Sequence, residues 1–248
     1  TGANNATIDL GTLAVTGGIT LTTNDDAGAD ASATIVNATA FALGASTVDG
    51  NLSATASGGA ITQLGALTVA GTGTFVTSAN DQAINLSTAN AIAGEVDFTT
   101  NTAGGNSGDV TFDNGVLDVV FGASTIAGGL TVTSGASAGI TDNGTVTVAS
   151  GATFATDAGN GVITMNQLAL TGGSLTLDTD GTGTATIVNT VGIDLAANTG
   201  IGGATSITAT TGNLTDSGTF TVTAGGASFV TGANNATIDL GTLAVTGG

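Results

Sequence analysis

TGANNATIDLGTLAVTGG occupies residues 1–18, and TGANNATIDLGTLAVTGG occupies residues 231–248, without one difference. The first copy begins at Thr1 and the second at Thr231, so the chain holds one period of a longer repeat and the opening of the next copy. Fixed-period self-similarity is the mark of solenoids, propellers and bead-like arrays. Outward from this stretch the same grammar recurs in diverged form. Phe75, Phe154 and Phe229 open the phrases FVTSANDQAINL, FATDAGNGVITM and FVTGANNATIDL at nearly equal intervals. AITQLGALTVAG (60–71), GITDNGTVTVAS (139–150) and NLTDSGTFTVTA (213–224) align just upstream. The period therefore contains three related units, 1–74, 75–153 and 154–228, with 229–248 beginning the next copy.

Within each unit the apolar pattern has period two. Leu67 and Val69 alternate with Thr68, Val146 and Val148 with Thr145 and Thr147, Phe220 and Val222 with Thr221, and Ile19 and Leu21 with Thr20. Alternation over four to six residues describes a strand with one buried face, and threonine suits the wet side of the pleat. Gly with Asn, Asp or Ser punctuates the strands, supplying the backbone conformations of tight corners. No helical period is present. The sequence predicts an all-β chain forming one continuous β-solenoid over 1–248. Strand phrases every 15–22 residues, near four per unit, give about twelve coils and a rod of roughly 58 Å per period at a layer spacing of about 4.8 Å. Ala33, Ala185 and Ala209 are expected where the core narrows. A string of β-sandwich beads is the rival, and it ordinarily wants a denser core with buried Trp or Tyr. This chain has neither.

Composition excludes several functions. Lys, Arg, His, Cys and Pro are absent, and eighteen acidic residues leave a net charge of −18. With no cationic side chain there is no phosphate clamp and no face for nucleic acid. Without His, Lys, Cys or Tyr the carboxylates lack partners for acid–base or nucleophilic work, so no enzyme is expected. No apolar run is long enough to span a bilayer, so membrane insertion is not expected.

No cofactor is required, and calcium is the one candidate ligand. Asp26, Asp30, Asp178 and Asp180 place carboxylates two or four residues apart in glycine-containing turns, where hard cations find oxygen ligands. Solvated turns account for the same residues, and diffuse neutralisation of the net charge is favoured over a dedicated cage. Thr-x-Thr phrases at Thr20/Thr22, Thr131/Thr133, Thr145/Thr147 and Thr219/Thr221/Thr223 raise ice binding as a further alternative, against which stands their irregular spacing. Sequons at Asn5, Asn37, Asn51, Asn85, Asn143, Asn213 and Asn235 make surface glycans a candidate.

The phrases GASTVDGNLSATASGGAITQLGALTVAGTGTF (44–75) and GITDNGTVTVASGATF (139–154) resemble the repeats of giant bacterial surface and secreted proteins of the filamentous haemagglutinin-like type. That resemblance covers all three units. It implies a right-handed parallel β-helix, export to the cell surface or beyond, and a role in adhesion, matrix or filament formation. Its implied partners are further copies of the repeat, stacked head to tail or bundled laterally. An adhesin stalk that binds carbohydrate is the alternative it leaves open.

Overall fold

The computed structural model describes residues 4–24, 31–105, 107–135, 139–157 and 159–247. Among them every regular element is a strand, and every strand pairing is parallel. Two walls of eleven stacked strands run the length of the molecule. The front wall begins with Ile8–Leu13, Ala33–Asn37 and Leu52–Ala56 and ends with Thr205–Ala209 and Ala227–Thr231. The back wall begins with Gly18–Ile19 and Phe41–Leu43 and ends with Leu214–Asp216 and Ile238–Asp239. The chain visits the walls alternately, and each return lays a strand on the one from the coil before. The molecule is the expected β-solenoid.

Period-two alternation puts Val, Leu, Ile and Phe between the walls and Thr and Ser outside. Leu67, Val69, Val146, Val148, Phe220, Val222, Ile19 and Leu21 are all buried, as are Ala33, Ala185 and Ala209. Phe75, Phe98, Phe112, Phe121 and Phe154 form a connected cluster within the core. Phe98 stacks on Phe75 at 5.7 Å between ring centroids and tilts against Phe112 and Phe121 at 5.4 and 6.2 Å, within the range where aromatic pairs attract. Corners are tight enough that some admit only glycine. At Gly173 φ is +69°, and a Cβ would lie 1.9 Å from the Ser150 carbonyl oxygen on the adjoining coil.

Among the described residues one buried polar side chain lacks a partner. Thr205 points inward between Ala185 and Ala227, and its buried hydroxyl has no hydrogen-bond partner. Burying an unpaired hydroxyl costs stability. Thr205→Val keeps the shape and removes the orphan, and it is expected to raise stability by about 1 kcal/mol. A lower urea midpoint for the valine variant would show that the hydroxyl is satisfied in solution.

The coil count differs from the sequence estimate. Ten steps of the front wall lead from Ile8 to Ala227, about 22 residues per coil, so the period makes about 10.5 coils and about 50 Å of rod. An estimate of twelve coils includes short strands that belong to neither wall. These lie at the edges of the rod: Ser46–Val48, Leu67–Val69 and Ala91–Ile92 form a third, three-stranded stack.

That narrow stack changes edges along the rod. Ser46–Val48, Leu67–Val69 and Ala91–Ile92 each follow a back-wall strand. Ser124–Ile126 and Val146–Val148, continued by Leu168–Leu170, each follow a front-wall strand. Ile201, Phe220–Val222 and Leu243–Val245 follow the back wall again. Each sequence unit thus spans about three and a half coils, and equivalent residues alternate between walls. Phe75 lies in the front wall, Phe154 in the back and Phe229 in the front. The identical copies of the opening stretch obey the same rule, with Ile8 in the front wall and Ile238 in the back.

Candidate functional site

The buried polar side chains gather at the corners where a wall meets an edge. Asn37, Asn114 and Asn189 stand at equivalent places in the three units, each nearly inaccessible to solvent. Each amide takes the role of a peptide group in the ladder. Asn37 Oδ1 accepts from Val15 N at 2.8 Å, and its Nδ2 donates to Val15 O at 2.8 Å. Asn114 does the same to Ile92 at 2.9 and 3.0 Å, and Asn189 to Leu170 at 2.7 and 3.1 Å. Val15, Ile92 and Leu170 are the last edge residues before the narrow stack moves to the other side. The asparagine satisfies the N–H and C=O that the missing next strand would have met, as buried backbone groups require. The pentapeptide ATIVN at 33–37 and 185–189 carries this signal in the sequence, hidden because Asn is also a common corner residue. Asn37 is one of the sequon asparagines, and its burial takes it off the surface.

Carboxylates do related work outside. Among the described residues no Asp or Glu is buried. Asp109, Asp118 and Asp142 accept from Gly129, Gly139 and both Asn166 and Gln167 backbone N–H groups on the next coil. Asp178, a calcium candidate from the sequence, behaves likewise: its Oδ1 accepts from Thr199 N at 2.6 Å, Thr199 Oγ1 at 2.7 Å and Gly200 N at 3.2 Å. Asp180 sits two residues on in an exposed turn, where its backbone carbonyl accepts from Gly183 N. Both line an open groove on the back wall with Asp157. Among the described residues no three His, Cys, Asp or Glu form a group that could hold a metal ion. Asp26 and Asp30 lie outside the described residues.

Among the described residues two carboxylates have displaced titrations. The Thr242 hydroxyl, with the Thr242 and Gly241 amides, holds Asp216 below its ordinary value of 3.8. A lowered folded pKa contributes stability that is complete above 3.8 and is lost as pH falls through the lowered value. Acidification is therefore expected to loosen the Gly241–Thr242 turn, and Asp216→Asn to flatten that pH dependence. Amide exchange at Gly241 and Thr242, followed on acidification, measures it; an unchanged profile in the variant would refute the assignment. Partial burial, reinforced by the neighbouring Glu95 charge, pushes Asp97 up, with the Thr74 hydrogen bond opposing. Here the sign reverses, and protonating Asp97 relieves the fold.

Stacking also gathers threonines that are scattered in sequence. Thr111, Thr131, Thr153 and Thr176 form one column over four back-wall coils, and Thr22, Thr47 and Thr68 another along an edge. The irregular spacing in sequence is absorbed by corners of different length. Each column is one residue wide: beside Thr111, Thr131, Thr153 and Thr176 run Asp113, Thr133, Ala155 and Asp178. All seven phenylalanines from Phe41 to Phe220 are buried and Phe229 is partly so, leaving no exposed aromatic platform among the described residues. No helix is long and apolar enough to cross a membrane among those residues.

No curated protein and no solved structure matches the chain. A family model described as repeats of unknown function (DUF5649) matches residues 28–99 and again 107–178. Phe75 in the first match and Phe154 in the second occupy the same place, and the two matches together cover more than half of the sequence. A unit of three and a half coils, containing an asparagine that closes an edge stack, is thus the physical form of the repeat, and the chain belongs to the DUF5649 repeat family.

Proposed function

We propose that this chain is a structural repeat segment of an extracellular bacterial filament or giant adhesin, acting as a stiff rod. The observation that carries the reading is the unbroken double wall, with a continuous apolar core from Ile19 to Val222. A rod of this kind works through length and stiffness, each coil contacting only its neighbours. Its exposed surface carries carboxylates and hydroxyls, and no residue that a trypsin-like protease would cut. The filamentous haemagglutinin-like phrases support a bacterial surface or matrix setting and further copies of the repeat as partners. Calcium and other cations serve as diffuse counter-ions to the −18 charge, with no enzymatic role for the segment. Burial of the phenylalanines weighs against a carbohydrate-binding stalk.

Cryo-electron microscopy of the native material tests this. A layer spacing of about 4.8 Å with a super-repeat of about 50 Å is expected. Separate beads joined by bends would sink the rod.

A further inference from the structure

One full period contains an odd number of edge exchanges. Asn37, Asn114 and Asn189 each end a narrow stack on one edge before it resumes on the other. Three half-coil displacements cannot return the chain to its starting wall. The duplicated stretch records the outcome: Ile8 is covered by Ala33 in the front wall, whereas Ile238, its identical counterpart, lies on Leu214 in the back wall.

We propose that in a tandem array each copy seats on the preceding one with front and back walls exchanged, so that the rod reverses its surface once per period. This rests on the reading of the chain as a continuous rod. The partner is the next copy, and the seat is the last coil, where Ile238, Leu243, Val245 and Val230 are half exposed. The occupant follows from the duplicated sequence. Here Ala33–Asn37 pairs with Ile8–Leu13, and Asn37 caps Val15 through both backbone atoms. In the array the next copy's Ala33–Asn37 strand covers Ile238 in the back wall, and its Asn37 caps Val245. Everything that follows is displaced by half a coil.

The reversal has a consequence for charge. Asp157, Asp178, Asp180, Asp194, Asp216 and Asp239 all lie on or beside back-wall strands. The front-wall strands of the same coils, Ile163–Leu170, Ala185–Asn189, Thr205–Ala209 and Ala227–Thr231, carry no acidic residue. In the earlier coils the acidic residues lie mainly in the front wall, with Asp9, Asp97 and Asp142 on its strands. Exchange of walls therefore runs the late stripe of one copy into the early stripe of the next, and the charge on a given side recurs about every 100 Å, against about every 50 Å without exchange.

The test is cryo-electron microscopy of a concatemer of the full period, with cationic gold as a second readout. The expected helical symmetry is a rise of about 50 Å per copy, with a half-turn added to the twist accumulated from coil to coil. Gold on a given side is expected to recur about every 100 Å, in stretches that join the late coils of one copy to the early coils of the next. A continuous rod with the same rise and no half-turn, on which gold recurs on each side about every 50 Å, overturns the exchange while leaving the rod intact. Beads without a continuous axial ladder overturn both. Protection of the Val245 amide against exchange should rise at least tenfold between the single chain and the concatemer; an unchanged rate removes the proposed cap.

Discussion

Asn189→Leu is expected to lower the stability of the coils around it by about 3–5 kcal/mol, because two buried backbone groups lose their partners at once. Leu170 N–H and C=O both face the Asn189 amide, and leucine offers neither donor nor acceptor. Each unsatisfied buried group costs roughly 1–3 kcal/mol. Solenoid stability is a sum of local terms, so the loss should concentrate near Ile163–Leu170 and Ala185–Asn189. Hydrogen exchange reads this directly: the Leu170 amide should lose roughly 100- to 1,000-fold of its protection while distant coils keep theirs. Full protection at Leu170 in the variant would mean that water or a shifted strand replaces the amide. Asn189→Asp preserves the acceptor for Leu170 N–H but removes the donor and buries a charge. Its defect should ease on acidification, when the carboxyl regains a proton to donate.

Phe98→Ala should be comparably damaging, at about 3–5 kcal/mol, since it removes the ring that touches three others. Phe75, Phe112 and Phe121 surround it from both walls, and backbone ladders on every side hinder collapse into the space. Phe229→Ala, at a partly buried site with one aromatic neighbour, should cost much less. Urea unfolding of the two variants compares them. Equal losses would show that the aromatic cluster is no more important than any single core ring.

Much of this is legible in the residues alone. Alternation in GALTVAG, GTVTVAS and GTFTVTA identifies inward Leu67, Val146 and Phe220, because a strand's side chains change face at every residue whatever lies beneath it. The duplicated opening stretch and the spaced phenylalanines establish the repeat, which the two family matches reproduce. Gly, Asn and Asp mark the corners. They do not say where each corner leads. Asp178 looks like a cation ligand because carboxylates near glycine suit one, and its use as an acceptor for Thr199 and Gly200 depends on the neighbouring coil. Asn37 looks like a surface residue until a strand from another coil lies beside it.

What the sequence by itself determined is the local geometry: strand, corner, inward face and repeat length. What only the tertiary structure decided is the number of coils in a repeat and the wall on which each phrase falls. The front-wall step from Ile8 to Ala33 takes more chain than the step from Ala33 to Leu52, since corners of different length close on the same ladder. An alternating strand buries its apolar face equally well against either wall. The choice is made by parallel hydrogen bonding to the coil already in place, and that register accumulates along the stack until identical residues, Ile8 and Ile238, stand on opposite sides of one core.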